Sequence, residues 1–287
     1  MLRVLEGVSF GKKIGKKLFK LTHPAIGDVL MFHRVTDSCP RMEHNRRFCV
    51  SSRRFEGILQ SYLNRGYVFI SLDQLANLLH ERERLHHRFV CVTFDDGYRD
   101  NYDVAYPILK RYNVPFTIYV ASDFIERRAV LWWYILDDII KTNEEYLVWH
   151  DRLIDLPLEQ IRHIMQEELS CAEGIFYDKV DALALNQSQL LDLAAEPLCT
   201  IGAHTISHCN LSQLSVSEQY AEIKGSLDFL KEITHQPVVH FSYPFGSYNS
   251  DTLSVVKELH LETVTKAWGG AVRKGESMYE ISRIEIQ

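Results

Sequence analysis

The chain alternates short apolar runs of strand length with longer stretches in which apolar residues recur at helical spacing. Four runs are apolar on both faces, which is typical of buried strands, some of them parallel. These runs are 29–32, 67–70, 89–94 and 116–120, and helical spacing follows at 52–65, 72–79 and 102–112. The alternation of strand and helix predicts an α/β fold.

Residues 124–196 interrupt this alternation with a helical stretch. The sequences LWWYILDDIIKT and LEQIRHIMQEEL favour helices, and Asn186 with Gln189 forms a capping box that would begin another. The α/β pattern then resumes with strands predicted at 198–203, 238–243 and 263–267, and with helices predicted at 215–233, opened by a capping box, and at 251–259. We therefore expect one domain, residues 28–287, with a helical insertion at about 124–196.

The N-terminal segment, residues 1–27, resembles a basic amphipathic helix because lysines are interspersed with apolar residues up to position 20. Such a helix can lie on an anionic membrane surface. An ordinary terminal helix packed on the domain, with its lysines in solvent, explains the same pattern. The lysines leave no apolar run of signal-peptide or transmembrane length.

Composition narrows the class of protein. The 287 residues include 32 Lys and Arg against 38 Asp and Glu, a net charge of −6, which argues against a general nucleic-acid binder. The six cysteines lie far apart and form no CxxC pair, so we interpret them as reduced thiols. Reduced cysteines and the absence of an export signal predict a cytoplasmic location. The protein would lie at the membrane surface if residues 1–20 bind lipid.

Two adjacent acids, Asp95 and Asp96, follow the apolar run 89–94 and precede Gly97. Ligands of α/β folds bind at strand ends, and two neighbouring carboxylates repel each other unless a cation is present. A simple Asp-Gly turn, in which Asp96 caps the next helix, is the structural alternative.

Two histidines, His204 and His208, follow the predicted strand 198–203 in the string HTISH. On a helical turn, residues i and i+4 share a face, which suits two imidazoles on one metal. The chain has 13 histidines, so chance spacing is the alternative for this pair alone. With one carboxylate, the pair would complete the open three-ligand site of a hydrolytic metal enzyme.

A third string, FSYPFG at 241–246, also ends a predicted strand, although Pro and Gly end strands without any further role. In this order, TFDDG, HTISH and FSYPFG resemble the polysaccharide deacetylase family, the NodB homology domain of carbohydrate esterase family four. The resemblance spans roughly 28–286, with the insertion outside the shared core. It implies a deformed, incomplete (β/α) barrel and a metal-dependent hydrolase that removes an N-acetyl group from an amino sugar in a polysaccharide or glycan precursor.

The resemblance assigns roles to individual residues. Asp95 corresponds to the general base that deprotonates a metal-bound water. Asp96, His204 and His208 correspond to the metal ligands, and the expected metal is Zn²⁺ or another divalent transition metal such as Co²⁺ or Ni²⁺.

Aromatic residues are the candidates for contact with substrate. Phe245, after a proline, matches the position whose backbone N–H helps hold the oxyanion. Trp268 falls where the family places a pocket-lining aromatic, and an ordinary core tryptophan is the alternative. Trp132 and Trp133 of the insertion are candidates either for a substrate cleft or for a helix packing face.

The chain departs from the common family pattern in two places. Many members have an arginine where this chain has Ser242, and a late Leu-x-His where it has Ile281 to Arg283. The biofilm poly-N-acetylglucosamine deacetylases supply the general acid from an early histidine, and MFHRV resembles their early motif. His33 is thus our candidate acid, with its pKa raised by a neighbouring carboxylate. A packed histidine bonded to backbone is the alternative, and Arg283 is a candidate to orient Asp95.

Two other functions remain open from the sequence. The same site would serve a hydrolase of a non-sugar C–N bond, which a pocket closed by the insertion would favour, whereas an open groove would favour glycans. The two departures also suit a non-catalytic carbohydrate-binding protein that retains the metal site. The expected partner is an N-acetylated sugar, for instance a lipid- or nucleotide-linked intermediate, with no nucleic acid or protein partner indicated.

Overall fold

A parallel β-barrel with flanking helices forms the body of the protein. The computed structural model describes residues 24–81 and 87–287. Its strands are β1 (Ala25–Phe32), β2 (Arg34–Val35), β3 (Cys49–Val50), β4 (Val68–Phe69), β5 (Phe89–Phe94), β6 (Phe116–Val120), β7 (Cys199–Ala203), β8 (His240–Ser242), β9 (Thr263–Gly269), β10 (Val272–Arg273) and β11 (Ile281–Glu285). Seven of them are parallel in the order β1-β5-β6-β7-β8-β9-β11, and β11 pairs back to β1. The predicted α/β barrel is confirmed.

Helices cover the outside of the barrel and occupy the long connection between β6 and β7. They are Glu43–Arg46, Ser52–Asn64, Leu72–Glu81, Asn101–Ala105 (a π-helix), Tyr106–Arg111, Ser122–Ile125, Trp132–Ile139, Asn143–Leu153, Leu158–Leu169, Glu173–Leu183, Gln187–Ala194, Val216–Thr234 and Ser250–Glu258, with 3₁₀ turns at Leu211–Gln213 and Pro244–Gly246. Both predicted capping boxes are present, at Asn186 and Ser215. No helix in the described part of the chain is both long and apolar enough to cross a membrane. The predicted amphipathic helix at 1–20 lies outside the described residues.

The barrel explains why the predicted strands are apolar on both faces. Every residue of β5 and β6 is buried, since one face points into the barrel and the other packs against helices. Phe55 and Leu59 of the helix Ser52–Asn64 belong to the same hydrophobic cluster as Phe94 of β5. Parallel strands also bring their carboxyl ends to one rim, and this rim is where the motifs lie.

The helices from 132 to 183 have a hydrophobic cluster of their own. Trp132, Tyr146, Met165 and Phe176 pack together in it, with Met42 of the connection between β2 and β3. Asp137 accepts hydrogen bonds from the backbone N–H groups of Arg41 (2.9 Å) and Met42 (2.8 Å). These helices are therefore fixed to the loop that borders the rim of the barrel.

One contact between these helices and that loop is expected to make stability depend on pH. The ring centroids of His44 and His150 lie 4.1 Å apart, with Tyr146, Arg47 and Asp151 also close to this pair. Burial, followed by His150 and Arg47, lowers the pKa of His44 from 6.5 to about 4, against a small opposing effect of Asp151. Because the unfolded chain then takes up the proton first, this group's contribution to stability is lost as the pH falls from about 6.5 to about 4.

We expect His44→Gln to be less stable than the parent protein at pH 7, since it loses the ring contacts. The difference in the free energy of unfolding should shrink as the pH falls towards 4.5, because the variant has no imidazole to protonate. Urea unfolding at several pH values measures this difference. A difference that stays constant between pH 7 and pH 4.5 would contradict the assignment.

Candidate active site

The predicted site residues meet at the carboxyl end of the barrel. His33 follows β1, Asp95 and Asp96 follow β5, His204 and His208 follow β7, Phe245 follows β8, and Trp268 lies near the end of β9. All seven line one cavity of about 310 Å³. The structure thus brings together every residue that the sequence put forward for this site.

Asp96, His204 and His208 form a compact group of three buried side chains. The Asp96 Oδ1 atom lies 3.3 Å from His204 Nε2 and 3.1 Å from His208 Nε2. Among the residues that the structure describes, Asp96 Oδ1 has no hydrogen-bond partner. His204 Nδ1 lies 2.8 Å from the backbone oxygen of Ser242, and a proton on Nδ1 leaves the Nε2 lone pair facing Asp96. This donor set fits a divalent transition metal held by one carboxylate and two imidazoles.

The predicted helical turn between the two histidines is wrong. The segment 204–208 is an irregular loop in which Thr205 (φ 65°) and His208 (φ 56°) have left-handed backbone conformations. Glu222 of the helix Val216–Thr234 accepts hydrogen bonds from the N–H groups of Ile206 and Ser207, both at 3.0 Å. The two imidazoles therefore converge because a neighbouring helix fixes the loop, and not because of helical spacing.

Asp96 also has a left-handed backbone conformation (φ 77°), and Gly97 follows with φ 90°. This turn directs the Asp96 carboxylate towards the imidazoles, so the interpretation of Asp96 as a helix cap is wrong. Burial alone would raise the pKa of Asp96, but His208 and His204 outweigh burial and hold this pKa well below its usual value. The Gly97 carbonyl accepts a hydrogen bond from Leu185 N at 3.0 Å, which ties the turn to the end of the helical insertion.

Asp95 is held by an arginine from the far end of the chain. Arg283, which is only 1% exposed, donates two hydrogen bonds to Asp95, at 2.6 Å to Oδ1 and 2.6 Å to Oδ2. It also donates to Ser242 Oγ at 2.8 Å and to the Lys266 carbonyl at 3.0 Å. Burial would raise the pKa of Asp95, but the guanidinium outweighs burial and lowers it.

Ser242 shows why the arginine comes from β11. Its small hydroxyl side chain at the end of β8 faces Asp95 and leaves room for the Arg283 guanidinium. The positive charge next to Asp95 therefore comes from β11 and not from position 242.

His33 lies beside Asp95 through strand register. Phe32 of β1 pairs with Phe94 of β5, so His33 and Asp95 are the next residues on neighbouring strands. The His33 carbonyl accepts a hydrogen bond from Asn101 Nδ2 at 2.8 Å, which fixes the backbone here. The expectation of a raised pKa is wrong: burial lowers the pKa of His33, and this outweighs the opposite effect of the two nearby carboxylates.

Aromatic rings enclose the side of the cavity next to His208. Its ring centroid lies 4.6 Å from that of Phe245 and 5.3 Å from that of Trp133. Trp268 is 55% exposed, so its interpretation as a core residue is wrong. A Cβ on Gly246 would lie 2.3 Å from the Trp268 ring, so only glycine allows this close approach.

The two tryptophans of the insertion serve both predicted purposes. Trp132 is 2% exposed and packs in the cluster of the insertion, yet both residues line the cavity. Trp133 Nε1 donates a hydrogen bond to the hydroxyl of Tyr98 at 3.2 Å.

Sequence reasoning missed Tyr98, Glu222, Arg47 and Glu285. Of these, Glu285 had one signal, because it lies two residues after Arg283 on the same strand.

The rim of this closed parallel barrel holds an Asp-His-His group beside a second carboxylate. This is the donor set expected at the site of a hydrolytic metal enzyme. Residues 82–264 match the Polysaccharide deacetylase family, and the chain belongs to this family. Membership implies a hydrolase that acts on carbon–nitrogen bonds and removes acetyl groups from sugars.

Individual relatives agree with this assignment. The chain is 23% identical over 267 residues to YxkH of Bacillus subtilis (strain 168), whose name describes a polysaccharide deacetylase. The match covers 93% of this chain and 74% of that protein. Two solved structures share the fold. They are the Streptococcus pyogenes deacetylase PplD in complex with acetate (24% identity, 92% of this chain and 93% of that chain, TM-score 0.67) and IcaB from Ammonifex degensii (20%, 92% and 93%, TM-score 0.64).

Proposed function

We propose that the protein is a metal-dependent hydrolase that removes an N-acetyl group from an amino sugar in a polysaccharide or glycan precursor. The observation that carries this proposal is the convergence of Asp96, His204 and His208 beside Asp95, whose carboxylate is paired with Arg283. A divalent transition metal, Zn²⁺ or alternatively Co²⁺ or Ni²⁺, would be held by these three ligands and would supply a Lewis acid for the amide carbonyl and for water.

The other steps fall to side chains and backbone of this chain. Asp95 accepts a proton from the attacking water, and Arg283 holds its two oxygens in position for this transfer. The N–H of Phe245 stabilises the negative charge that develops on the amide oxygen. His33, in its protonated form, donates a proton to the leaving nitrogen, so that the sugar amine and acetate are released.

The positions of Arg283 and His33 support an enzyme over a non-catalytic carbohydrate-binding protein. The binding alternative rests on the missing arginine at position 242 and on the missing late histidine. Arg283 contributes a guanidinium to Asp95 from β11, and His33 contributes an imidazole from the end of β1. Both required groups are thus available from other strands.

The experiment that tests the proposal is acetate release from a panel of N-acetylglucosamine oligomers and nucleotide sugars, with protein loaded in turn with Zn²⁺, Co²⁺ and Ni²⁺. We expect release from at least one N-acetyl sugar, and only with metal bound. Protein that binds about one metal per chain yet releases no acetate from any substrate in the panel would contradict the proposal.

The role of His33 leads to a separate prediction. We expect His33→Gln to retain its metal and to release acetate from the N-acetyl sugar roughly 10²-fold to 10⁴-fold more slowly, because the leaving amine no longer receives a proton. Hydrolysis of p-nitrophenyl acetate should fall much less, since its leaving group departs without a proton. His163→Gln, on an exposed helix of the insertion, is the matched control. Equal losses on both substrates would contradict a general acid.

A further inference from the structure

The opening of the cavity contains a charged pair that the proposed mechanism does not use. Glu285 ends β11 and pairs in register with Met31 of β1, two residues before His33. Arg47 follows the short helix Glu43–Arg46, and both side chains line the cavity. The Arg47 side chain is 47% exposed and that of Glu285 is 28% exposed, whereas Asp95 and Asp96 in the same cavity are buried.

One oxygen of the Glu285 carboxylate is buried without a hydrogen bond. Within residues 24–81 and 87–287, its Oε1 atom is buried and has no hydrogen-bond partner. Arg47 Nε lies 3.9 Å from Oε1, beyond hydrogen-bond distance. A buried acceptor without a donor is costly, and natural proteins retain few of them. Asp96 Oδ1 is one of several other buried atoms without a partner in the described residues, and the candidate metal explains it, whereas the proposed reaction gives no partner to Glu285 Oε1.

A hydroxyl group has the donor and the acceptors that complement these two side chains. It has one donor for the carboxylate and two lone pairs for the guanidinium, so a single oxygen atom can satisfy both. The Arg47 guanidinium lies 4.6 Å from the Phe48 ring centroid, and this contact limits its orientations. The exposed Trp268 lines the same opening and offers the apolar surface on which a sugar ring can pack.

We propose that Arg47 and Glu285 bind a hydroxyl group of the substrate sugar and thereby select N-acetyl sugars over N-acetyl amides without hydroxyl groups. This inference rests on the proposed function, because it concerns the substrate of the same site. It assigns Glu285 as a specificity residue: a site built to bond a hydroxyl discriminates against an analogue that lacks it.

The test compares one substrate that has hydroxyl groups with one that has none. For Glu285→Ala we expect kcat/KM on an N-acetylglucosamine oligomer to fall roughly 10-fold to 100-fold, mainly through KM. On acetanilide, kcat/KM should stay within about twofold of the parent value, since no hydroxyl bond is lost. Arg47→Met should give a loss of the same kind, and Glu258→Gln, an exposed carboxylate on the helix Ser250–Glu258, is the control.

A stability measurement distinguishes substrate binding from a structural role. Since Glu285→Ala removes a buried acceptor without a donor, its free energy of unfolding should equal or exceed that of the parent protein. A clear loss of stability, or equal losses of kcat/KM on both substrates, would overturn the proposal.

If the intact protein releases no acetate from either substrate, the proposed function fails, and the hydroxyl-binding pair is then tested by calorimetry with the same oligomer. Binding at least 10-fold weaker for Glu285→Ala than for Glu258→Gln supports the pair. Equal binding by the two variants, or no binding by the intact protein, overturns it.

Discussion

Asp96→Ala is expected to abolish both metal binding and acetate release, whereas Asp95→Asn is expected to keep the metal and lose only the activity. The reason is geometric: Asp96 Oδ1 faces both imidazoles, while both oxygens of Asp95 are bonded to Arg283. Without Asp96, the metal content should fall from about one per chain towards zero. Loss of the base should slow acetate release roughly 10²-fold to 10⁴-fold. Elemental analysis after dialysis, together with the acetate assay, measures both effects.

A second group of ligand types in the protein provides the control. Asp73, His240 and Glu262 also bring their ligand atoms close together, near the amino ends of β8 and β9. There, His240 Nε2 lies 2.9 Å from Asp73 Oδ1 and His240 Nδ1 lies 2.7 Å from Thr263 Oγ1, so both ring nitrogens have hydrogen-bond partners. At the rim, in contrast, Asp96 Oδ1 has no such partner among the described residues. Glu262→Gln should therefore retain metal and activity. Metal lost from Glu262→Gln but kept in Asp96→Ala would contradict the assignment.

The sequence predicted those parts of the fold that depend on local patterns. The strands β5 and β6 have the predicted bounds because every residue in them is buried and most are apolar. Two other strands are shorter than predicted: 67–70 became Val68–Phe69, and 238–243 became His240–Ser242. Their length is set by pairing, since β4 pairs only with the first two residues of β5, and an apolar run does not show where a partner strand ends.

The candidate site was predictable for a related reason, and its remaining parts were not. Parallel strands bring motifs at their carboxyl ends to one rim, so Asp96 and His204 meet although they are far apart in sequence. The left-handed loop at 204–208 and its attachment to Glu222 depend on a helix later in the chain, which no local pattern reveals. The pair of Arg47 and Glu285 likewise depends on how β11 closes the barrel against β1.

Arg283→Met is expected to have the second large effect. It leaves Asp95 buried without its positive partner, and breaking a buried ion pair from one side costs about 3–5 kcal/mol of unfolding free energy. Acetate release should fall by a factor comparable to that of Asp95→Asn, because the two oxygens of the base are no longer held. Urea unfolding and the acetate assay on the same preparation measure the two losses.

The double variant Asp95→Leu with Arg283→Met separates the stability of the pair from its use in the reaction. Replacing both charges with apolar residues removes the unpaired charge, so most of the lost unfolding free energy should return while the activity stays lost. Arg283→Lys keeps the charge but not the planar fork of two donors. It should therefore be more stable than Arg283→Met and still release acetate slowly. Full activity in Arg283→Lys would show that charge alone is sufficient, and that the paired hydrogen bonds to Asp95 do not position the base.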